Sequence, residues 1–145
     1  MSYRSLETSE AKALLAGPEG WKYVDVRTVE EFEAGHAAGA WNVPFAVYDR
    51  SGRMTLNAEF VAVMRKRFPP DARLVLGCAS GMRSQNACEL LESEGYEHLV
   101  NLAHGFLGQR DMSGRVVRPG WQACGYPCES EATPERTYAA LRGPE

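Results

Sequence analysis

Short apolar segments alternate with longer amphipathic segments along most of the chain. Four short segments rich in valine, leucine or aromatic residues are predicted to be strands: 21–26, 40–43, 74–76 and 99–102. Before and between these strands, apolar residues at helical spacing predict helices at 10–17, 28–35, 58–68 and 84–92. Residues 103–107 are predicted to begin a further helix. Strands that alternate with helices form βαβ units, so we predict an α/β fold with a central, mostly parallel sheet and helices on both faces.

The predicted helices carry recognisable start signals. Thr8 and Ser9 precede the first helix and are expected to cap it. Thr28 and Glu31 stand three residues apart, the spacing of a capping box, in which each side chain bonds the backbone N–H of the other residue. Asn57 is expected to cap the helix that follows it.

Composition and charge narrow the class of protein. The 145 residues are 44% hydrophobic and 24% charged, which is ordinary for one soluble globular domain. A net charge of −3, with arginines interleaved among acidic residues, argues against a nucleic-acid-binding surface. No apolar run has the length of a membrane span, and residues 1–12 lack the apolar core of a signal peptide. We therefore expect a cytoplasmic protein that binds neither nucleic acid nor membrane.

The stretch 73–84, with the sequence RLVLGCASGMRS, concentrates the candidate chemistry. A predicted strand leads to Cys78, and a helix begins after a short loop that ends at Arg83. Ligands of open α/β sheets bind beyond the carboxyl ends of the strands, where the first turn of a helix presents unpaired N–H groups and partial positive charge. Small loop residues let such N–H groups converge on an anion. The pattern predicts an activated thiolate in an anion pocket, with the Arg83 charge at its rim.

The alternative is that Cys78 is a small core residue, since free cysteine is among the most buried residue types. A core cysteine needs neither a glycine-bearing loop nor an arginine, and both favour the functional interpretation. Cys88 lies on the apolar face of the following helix and is predicted to belong to the core.

Cys124 and Cys128 form a C-x3-C pair near the end of the chain. A metal site would need two further ligands, and His36, His98 and His104 are too dispersed to supply them, so no metal is predicted. For the pair itself, a structural role is favoured over a redox role.

Three blocks of sequence resemble the single-domain rhodanese-like sulfurtransferases. The first holds the Asp-Val-Arg, Glu-Phe, Gly-His, Gly-Ala and Asn-x-Pro motifs of residues 25–44. The second, residues 78–84, is similar to the family's C-x-x-G-x-R-S loop, and the third runs from Gly95 to Pro127. The resemblance implies a rhodanese-like three-layer fold over residues 1–128, and residues 129–145 are expected to form a polar C-terminal tail.

The chain departs from the family pattern at two places. His104 replaces the first of two glycines that the family usually has after the Asn-Leu segment. The segment Gln109–Gly120 is an addition before Trp121, and its turn signal followed by a β-like segment predicts a small hairpin. Additions of this kind are tolerated thermodynamically and can form functional loops.

The resemblance implies a double-displacement reaction. Cys78 would attack the outer sulfur of thiosulfate or a persulfide donor and hold it as a persulfide, which cyanide, a small thiol or a protein thiol would remove. Cys78 and Arg83 are the implied catalytic residues. The implied substrate-binding residues are Ala79, Ser80, Gly81, Met82, Ser84 and Arg27. No metal or organic cofactor is implied.

Two further residues of the resemblance are expected to serve the fold. His36 lies in a predicted turn, and Asp25 is expected to join Arg27 in tying loops together beneath the active face. In addition, Cys124 or Cys128 is a candidate to accept sulfur from Cys78.

Two alternative functions remain open. A related phosphatase and arsenate-reductase branch has a longer loop between cysteine and arginine, whereas this chain has only residues 79–82 there, and the tighter loop favours sulfur over a tetrahedral oxyanion. The other alternative is a sulfur-carrier or protein-binding module without turnover, against which the intact Cys78 and Arg83 argue.

Overall fold

The computed structural model describes residues 3–131 and 133–143. Along the chain its elements are β1 (Arg4–Leu6), α1 (Thr8–Ala16), β2 (Lys22–Asp25), α2 (Val29–Glu33), β3 (His36–Ala37), β4 (Trp41–Asn42), β5 (Ala46–Tyr48), β6 (Met54–Leu56), α3 (Phe60–Arg67), β7 (Arg73–Gly77), α4 (Met82–Ser93), β8 (His98–Leu102), β9 (Gln109–Arg110), β10 (Val116–Arg118), β11 (Cys128–Glu129), a 3₁₀ turn (Pro134–Arg136) and α5 (Tyr138–Arg142).

A five-stranded parallel sheet forms the centre of the fold, with the strand order β1-β8-β7-β2-β4. The central strand β7 pairs with β2 and β8 on its two sides. All five carboxyl ends therefore lie along one edge of the sheet, which is where ligands of parallel α/β sheets bind. The α/β class and the parallel sheet predicted from the sequence are confirmed.

Hydrophobic clusters cover both faces of the sheet, because successive side chains of a strand point to opposite faces. On one face, Leu74 and Leu76 pack with the apolar sides of α3, α4 and α5. On the other face, Val75 packs with Ala11 of α1 and Phe32 of α2. The result is the predicted three-layer arrangement.

Four of the five predicted helices are present, with differences at their ends. The capping box of α2 is confirmed, since Thr28 Oγ1 accepts from the Glu31 N–H and Glu31 Oε1 accepts from the Thr28 N–H. Thr8 and Ser9 were predicted to precede the first helix but lie inside α1. Asn57 accepts a hydrogen bond from the Glu59 N–H, and α3 begins only at Phe60.

The predicted helix at 103–107 is wrong. This segment forms consecutive turns, because Gly105 has a φ of +63°, which a right-handed helix does not allow. The amides of Phe106 and Leu107 bond the carbonyl oxygens of Cys78 and Ala79 instead of those one helical turn earlier.

Two antiparallel hairpins leave this scaffold. The predicted hairpin in Gln109–Gly120 is confirmed and consists of β9 and β10. A second hairpin, β5 with β6, follows the edge strand β4 and was not predicted. The N-terminal strand β1, which was not predicted either, pairs with β8 at the opposite edge.

The segment after residue 128, expected to be a polar tail, makes ordered contacts with the rest of the fold. β11 pairs antiparallel with β3, and Leu141 of α5 is buried in the same cluster as α3 and α4. The Tyr138 hydroxyl lies 3.1 Å from Asn57 Nδ2, which donates a hydrogen bond to it.

Candidate active site

Cys78 follows the central strand β7 and lies at the floor of a loop that leads into α4. Its side chain is 1% exposed. The Sγ atom lies 3.1 Å from the Gly81 N–H and 3.4 Å from the Ser84 N–H, both of which are directed at it. Backbone donors thus converge on the sulfur at the amino end of α4, as the sequence predicted, and this arrangement favours a negatively charged sulfur.

The segment after β8 holds this loop in shape. The Phe106 N–H donates to the Cys78 carbonyl at 2.7 Å, and the Leu107 N–H donates to the Ala79 carbonyl at 2.9 Å. These bonds satisfy two loop carbonyl oxygens and fix the backbone of the loop that carries the sulfur.

Ser84 places a hydroxyl group beside the same sulfur. Its Oγ lies 3.4 Å from Cys78 Sγ and 2.6 Å from Asn101 Oδ1, and both polar side chains are buried. The Asn101 Nδ2 group donates to Ser5 Oγ, which directs its Oδ1 toward Ser84. The single hydroxyl proton can be donated to Asn101 Oδ1, to the Gly81 carbonyl at 3.2 Å or to the sulfur.

Arg83 forms a two-point ion pair with Glu31 of α2. Its two terminal nitrogens lie 2.7 Å and 3.0 Å from the two carboxylate oxygens, and both side chains are partly buried. The hydrogen bond to Glu31 is the main cause that raises the pKa of Arg83. The arginine is therefore at the loop as predicted, but its charge is shared with a carboxylate that the sequence analysis had assigned only to the helix cap.

Burial alone would raise the pKa of Glu31. Hydrogen bonds from Arg83 and Thr28 outweigh it and lower that pKa to about 2. A carboxyl group whose pKa is lower in the folded state stabilises the fold above its unfolded pKa and loses that contribution as the pH falls. Glu31 therefore links α2 to the loop of Cys78 by charge.

We predict that Glu31→Gln lowers the free energy of unfolding at pH 7 by about 2 kcal/mol. The variant leaves Arg83 half-buried without its carboxylate partner. The difference from the wild type should shrink as the pH falls from about 4.5, the ordinary glutamate value, toward about 2. Urea unfolding across this range measures it. Glu30→Gln, which removes an exposed charge from the same first turn, is the matched control, and an equal loss in both variants would contradict the assignment.

Arg27 lies beneath the loop and is buried. Its Nε and one terminal nitrogen bind the Asp25 carboxylate, and that terminal nitrogen also donates to the Gly35 carbonyl at 2.7 Å. The guanidinium lies 4.4 Å from the centre of the Phe106 ring. Burial works against the charged form, but the Asp25 contacts dominate and raise the pKa of Arg27. These contacts join loops under the active face. None of them involves Cys78, so they do not by themselves support the predicted substrate-binding role of Arg27.

The remaining predicted site residues differ in accessibility. Ser80 and Met82 are exposed, Ala79 is half-buried, and Gly81 is buried with a φ of +109°. Exposed Met82 and Ser80 form the outer surface of the loop, whereas Gly81 forms its inner wall.

The other cysteines and His36 have different surroundings. Cys88 is buried in the core, where burial raises the pKa of its thiol strongly. Cys124 and Cys128 are free thiols, and Cys128 Sγ lies 3.3 Å from the Tyr126 carbonyl. His36 is fully buried, with one ring nitrogen 2.7 Å from the Phe32 carbonyl and the other 3.0 Å from Glu129.

Two residues of the site were missed. Glu31 is separated from Arg83 by much of the sequence, and nothing local indicated their pairing. Asn101 had a visible signal, since it is a polar residue inside the apolar strand Leu99–Leu102. Buried polar side chains are normally hydrogen-bonded, so an asparagine there indicates a partner nearby.

Neither a candidate metal site nor a membrane-spanning helix is present among the described residues. Within residues 3–131 and 133–143, no three side chains of the metal-ligating types lie together as a candidate metal site. Over the same ranges, no helix has both the length and the apolar character to cross a membrane.

Comparison with known proteins finds one matching family and relatives of moderate sequence identity. The family model described as a rhodanese-like domain matches residues 7–110. "Thiosulfate sulfurtransferase 18" of Arabidopsis thaliana is 37% identical over 111 residues, which cover 75% of this chain and 79% of that protein. "Protein HIGH ARSENIC CONTENT 1, mitochondrial" of the same plant is 33% identical over 102 residues, which cover 70% of this chain but only 59% of the relative. A crystal structure of a protein from M. tuberculosis has a TM-score of 0.76 at 27% identity and covers 90% of this chain and 100% of its own.

Proposed function

The chain belongs to the rhodanese-like domain family, and on that premise we propose that it is a sulfurtransferase that carries sulfur as a persulfide on Cys78. The observation that carries the proposal is the convergence of the Gly81 and Ser84 amides and the Ser84 hydroxyl on Cys78 Sγ. Groups that surround a sulfur with donors stabilise it both as a thiolate and as an anionic persulfide.

In the first step, the Cys78 thiolate attacks the outer sulfur of a donor such as thiosulfate. A new sulfur–sulfur bond forms on the enzyme, and the bond between the two sulfurs of thiosulfate breaks. Sulfite leaves with the electron pair of that bond, so neither an oxidant nor a reductant is consumed. The outer persulfide sulfur then carries the negative charge.

In the second step, a nucleophile removes that sulfur. Cyanide or a thiolate attacks the outer sulfur, and the persulfide bond breaks with its electrons returning to Cys78. The product is thiocyanate or a persulfide of the acceptor, and the thiolate is regenerated. The loop donors lower the energy of the leaving thiolate in this step, as they favour the attacking one in the first.

The Glu31–Arg83 pair tunes the charge at this loop. An incoming dianion such as thiosulfate competes with Glu31 for the guanidinium, whose two terminal nitrogens are bound to the carboxylate. Support for phosphate or arsenate chemistry is weaker, since the loop of residues 79–82 is short for a tetrahedral oxyanion.

Intact-protein mass spectrometry after brief incubation with thiosulfate tests the proposal. We expect a gain equal to one sulfur atom, loss of that gain on addition of cyanide, and peptide mapping that places the sulfur on Cys78. A Cys124→Ser/Cys128→Ser double variant is the control and should gain the same sulfur.

Three results would contradict the proposal. Sulfur mapped to Cys124 or Cys128 would assign the nucleophile elsewhere. A gain that no thiol or cyanide removes would indicate a carrier module without turnover. Failure to gain sulfur from thiosulfate and from a persulfide donor, together with hydrolysis of an aryl phosphate or reduction of arsenate, would indicate the phosphatase and reductase branch.

A further inference from the structure

Exposed apolar side chains are confined to a few segments of the surface. Among residues 3–131 and 133–143, every exposed large hydrophobic side chain lies in the β5–β6 hairpin, in the segment from 107 to the end of the β9–β10 hairpin, or in the Cys78 loop. They are Tyr48, Met54, Leu56, Met82, Leu107, Met112, Val116 and Val117. Apolar residues gathered this way, and not scattered, are typical of an interaction surface.

The two hairpins have the same turn. Asp49 and Asp111 each begin an Asp-x-Ser-Gly-Arg sequence. In both turns the aspartate Oδ1 accepts from the serine N–H at 2.9 Å, from the serine hydroxyl at 2.7 Å and from the arginine N–H at 3.0 Å. Gly52 and Gly114 have φ values of +84° and +85°. Such internally bonded turns hold the strands beside them in a defined shape.

The hairpins are positively charged although the whole chain is negative. The segments 45–56 and 105–120 contain five arginines, two aspartates, and neither lysine nor glutamate. The hydrogen bonds within each turn lower the pKa of Asp49 and Asp111, so both carboxylates are ionised but already engaged. Enrichment in arginine, methionine and tyrosine with depletion of lysine and glutamate is the composition of protein interfaces.

Topology places both hairpins at the edge of the sheet where Cys78 lies. β5 follows β4, and the Phe45 N–H bonds the Val26 carbonyl just beyond the β2–β7 pair. β9 follows the segment whose Phe106 and Leu107 amides hold the Cys78 loop. Since β7 is central and β4 and β8 lie on its two sides, the hairpins leave the sheet on opposite sides of the loop.

We propose that the two hairpins and Met82 form a docking surface for a protein sulfur acceptor that presents its cysteine within an acidic and apolar segment. This inference rests on the proposed function, because it names the acceptor that would take sulfur from Cys78. Arginines on both hairpins attract acidic residues of the partner, and the exposed methionine, tyrosine and valine side chains contact its apolar residues. A small thiol or cyanide uses none of these contacts.

The rhodanese-like match ends at residue 110, so most of the β9–β10 hairpin lies beyond it. This hairpin has the same turn and the same sign of charge as the β5–β6 hairpin, so two similar hairpins flank the Cys78 loop. A nucleic-acid partner is disfavoured because the exposed side chains between the arginines are mainly aliphatic, whereas bases stack on aromatic ones.

Binding of an unreactive peptide tests the surface without requiring sulfur transfer. The probe is a fluorescent peptide with acidic residues and leucines around a serine, and its partner probe has lysine at each acidic position. In fluorescence anisotropy at low salt, the acidic peptide should bind the wild type at least about tenfold more tightly than the basic one, with weakening as salt rises.

Charge reversal locates the site. Arg50→Glu/Arg115→Glu changes one exposed arginine in each hairpin, and we expect it to weaken the acidic peptide at least about tenfold. Lys22→Glu/Arg73→Glu makes the same charge change at the amino ends of β2 and β7, away from Cys78. This control should bind the acidic peptide as the wild type does. Tyr48→Ser/Met112→Ser should also weaken binding, but without altering its salt dependence.

Transfer from sulfur-loaded enzyme separates this proposal from the proposed function. With a cysteine in place of the serine, the acidic peptide should accept sulfur from the wild type faster than the basic peptide does. The Arg50→Glu/Arg115→Glu variant should lose this difference. A neutral small thiol should still take sulfur from that variant at the wild-type rate. Three results would overturn the docking surface. The wild type would bind both peptides equally, the two charge-reversal variants would bind the acidic peptide equally, or a single-stranded oligonucleotide would bind as tightly as the acidic peptide. Failure to load sulfur at all would instead count against the proposed function, whatever the peptides do.

Discussion

Replacing Cys78 with serine is expected to lower the rate of sulfur transfer from thiosulfate to cyanide by at least about a thousandfold. The hydroxyl of serine is not ionised near neutral pH, and the groups that hydrogen-bond Cys78 Sγ among the described residues are the Gly81 and Ser84 amides and the Ser84 hydroxyl. These groups stabilise an anion and do not remove a proton from an alcohol. Steady-state production of thiocyanate measures the loss, and the serine variant should also fail to gain sulfur from thiosulfate.

Two controls separate a lost nucleophile from a damaged fold. Urea unfolding should show that Cys78→Ser keeps most of the wild-type stability, since serine is slightly smaller and can accept the same two N–H bonds. Cys88→Ser removes a thiol that is equally buried but lies in the hydrophobic core, and it should cost stability with little effect on turnover per folded molecule. A Cys78→Ser enzyme with near wild-type turnover would place the chemistry on another residue.

The parts of this molecule that were predicted from sequence are those encoded by neighbouring residues. The strand, loop and helix around Cys78 follow one another within a short stretch, so their apolar spacing and small loop residues already located the sulfur at the amino end of α4. The capping box of Thr28 and Glu31 is also local. Resemblance to a family then supplied the long-range order of these units, which spacing alone does not contain.

The missed features depend on contacts between distant residues. Glu31 has one role that its neighbours encode, the cap of α2, and a second that only the fold creates, the pairing with Arg83. The helix expected at 103–107 was wrong because its amides bond the Cys78 loop, a tertiary contact that overrides local spacing. The β5–β6 hairpin gave no alternating pattern, since most of its side chains face solvent.

Replacing Gly81 with alanine is expected to destabilise the fold by about 2–4 kcal/mol and to lower sulfur transfer at least about tenfold. Two costs combine at this position. The φ of +109° is one that residues with a side chain rarely adopt, and an added Cβ would lie 3.0 Å from the Ala103 carbonyl carbon and closer still to its oxygen. Relief of that overlap must move the loop away from the turn after β8. The Gly81 N–H would then leave Cys78 Sγ, so activity and stability should fall together.

Gly95→Ala separates the two costs. Gly95 has a similar φ of +97°, but an added Cβ there meets no atom within 4 Å, so only the conformational cost applies. We expect this control to lose about 1 kcal/mol and to retain wild-type turnover. Urea unfolding and thiocyanate production, measured on both variants, give the difference that is due to the contact with Ala103. If Gly81→Ala matched Gly95→Ala in both measurements, the turn after β8 would not be what holds the Gly81 amide against the sulfur.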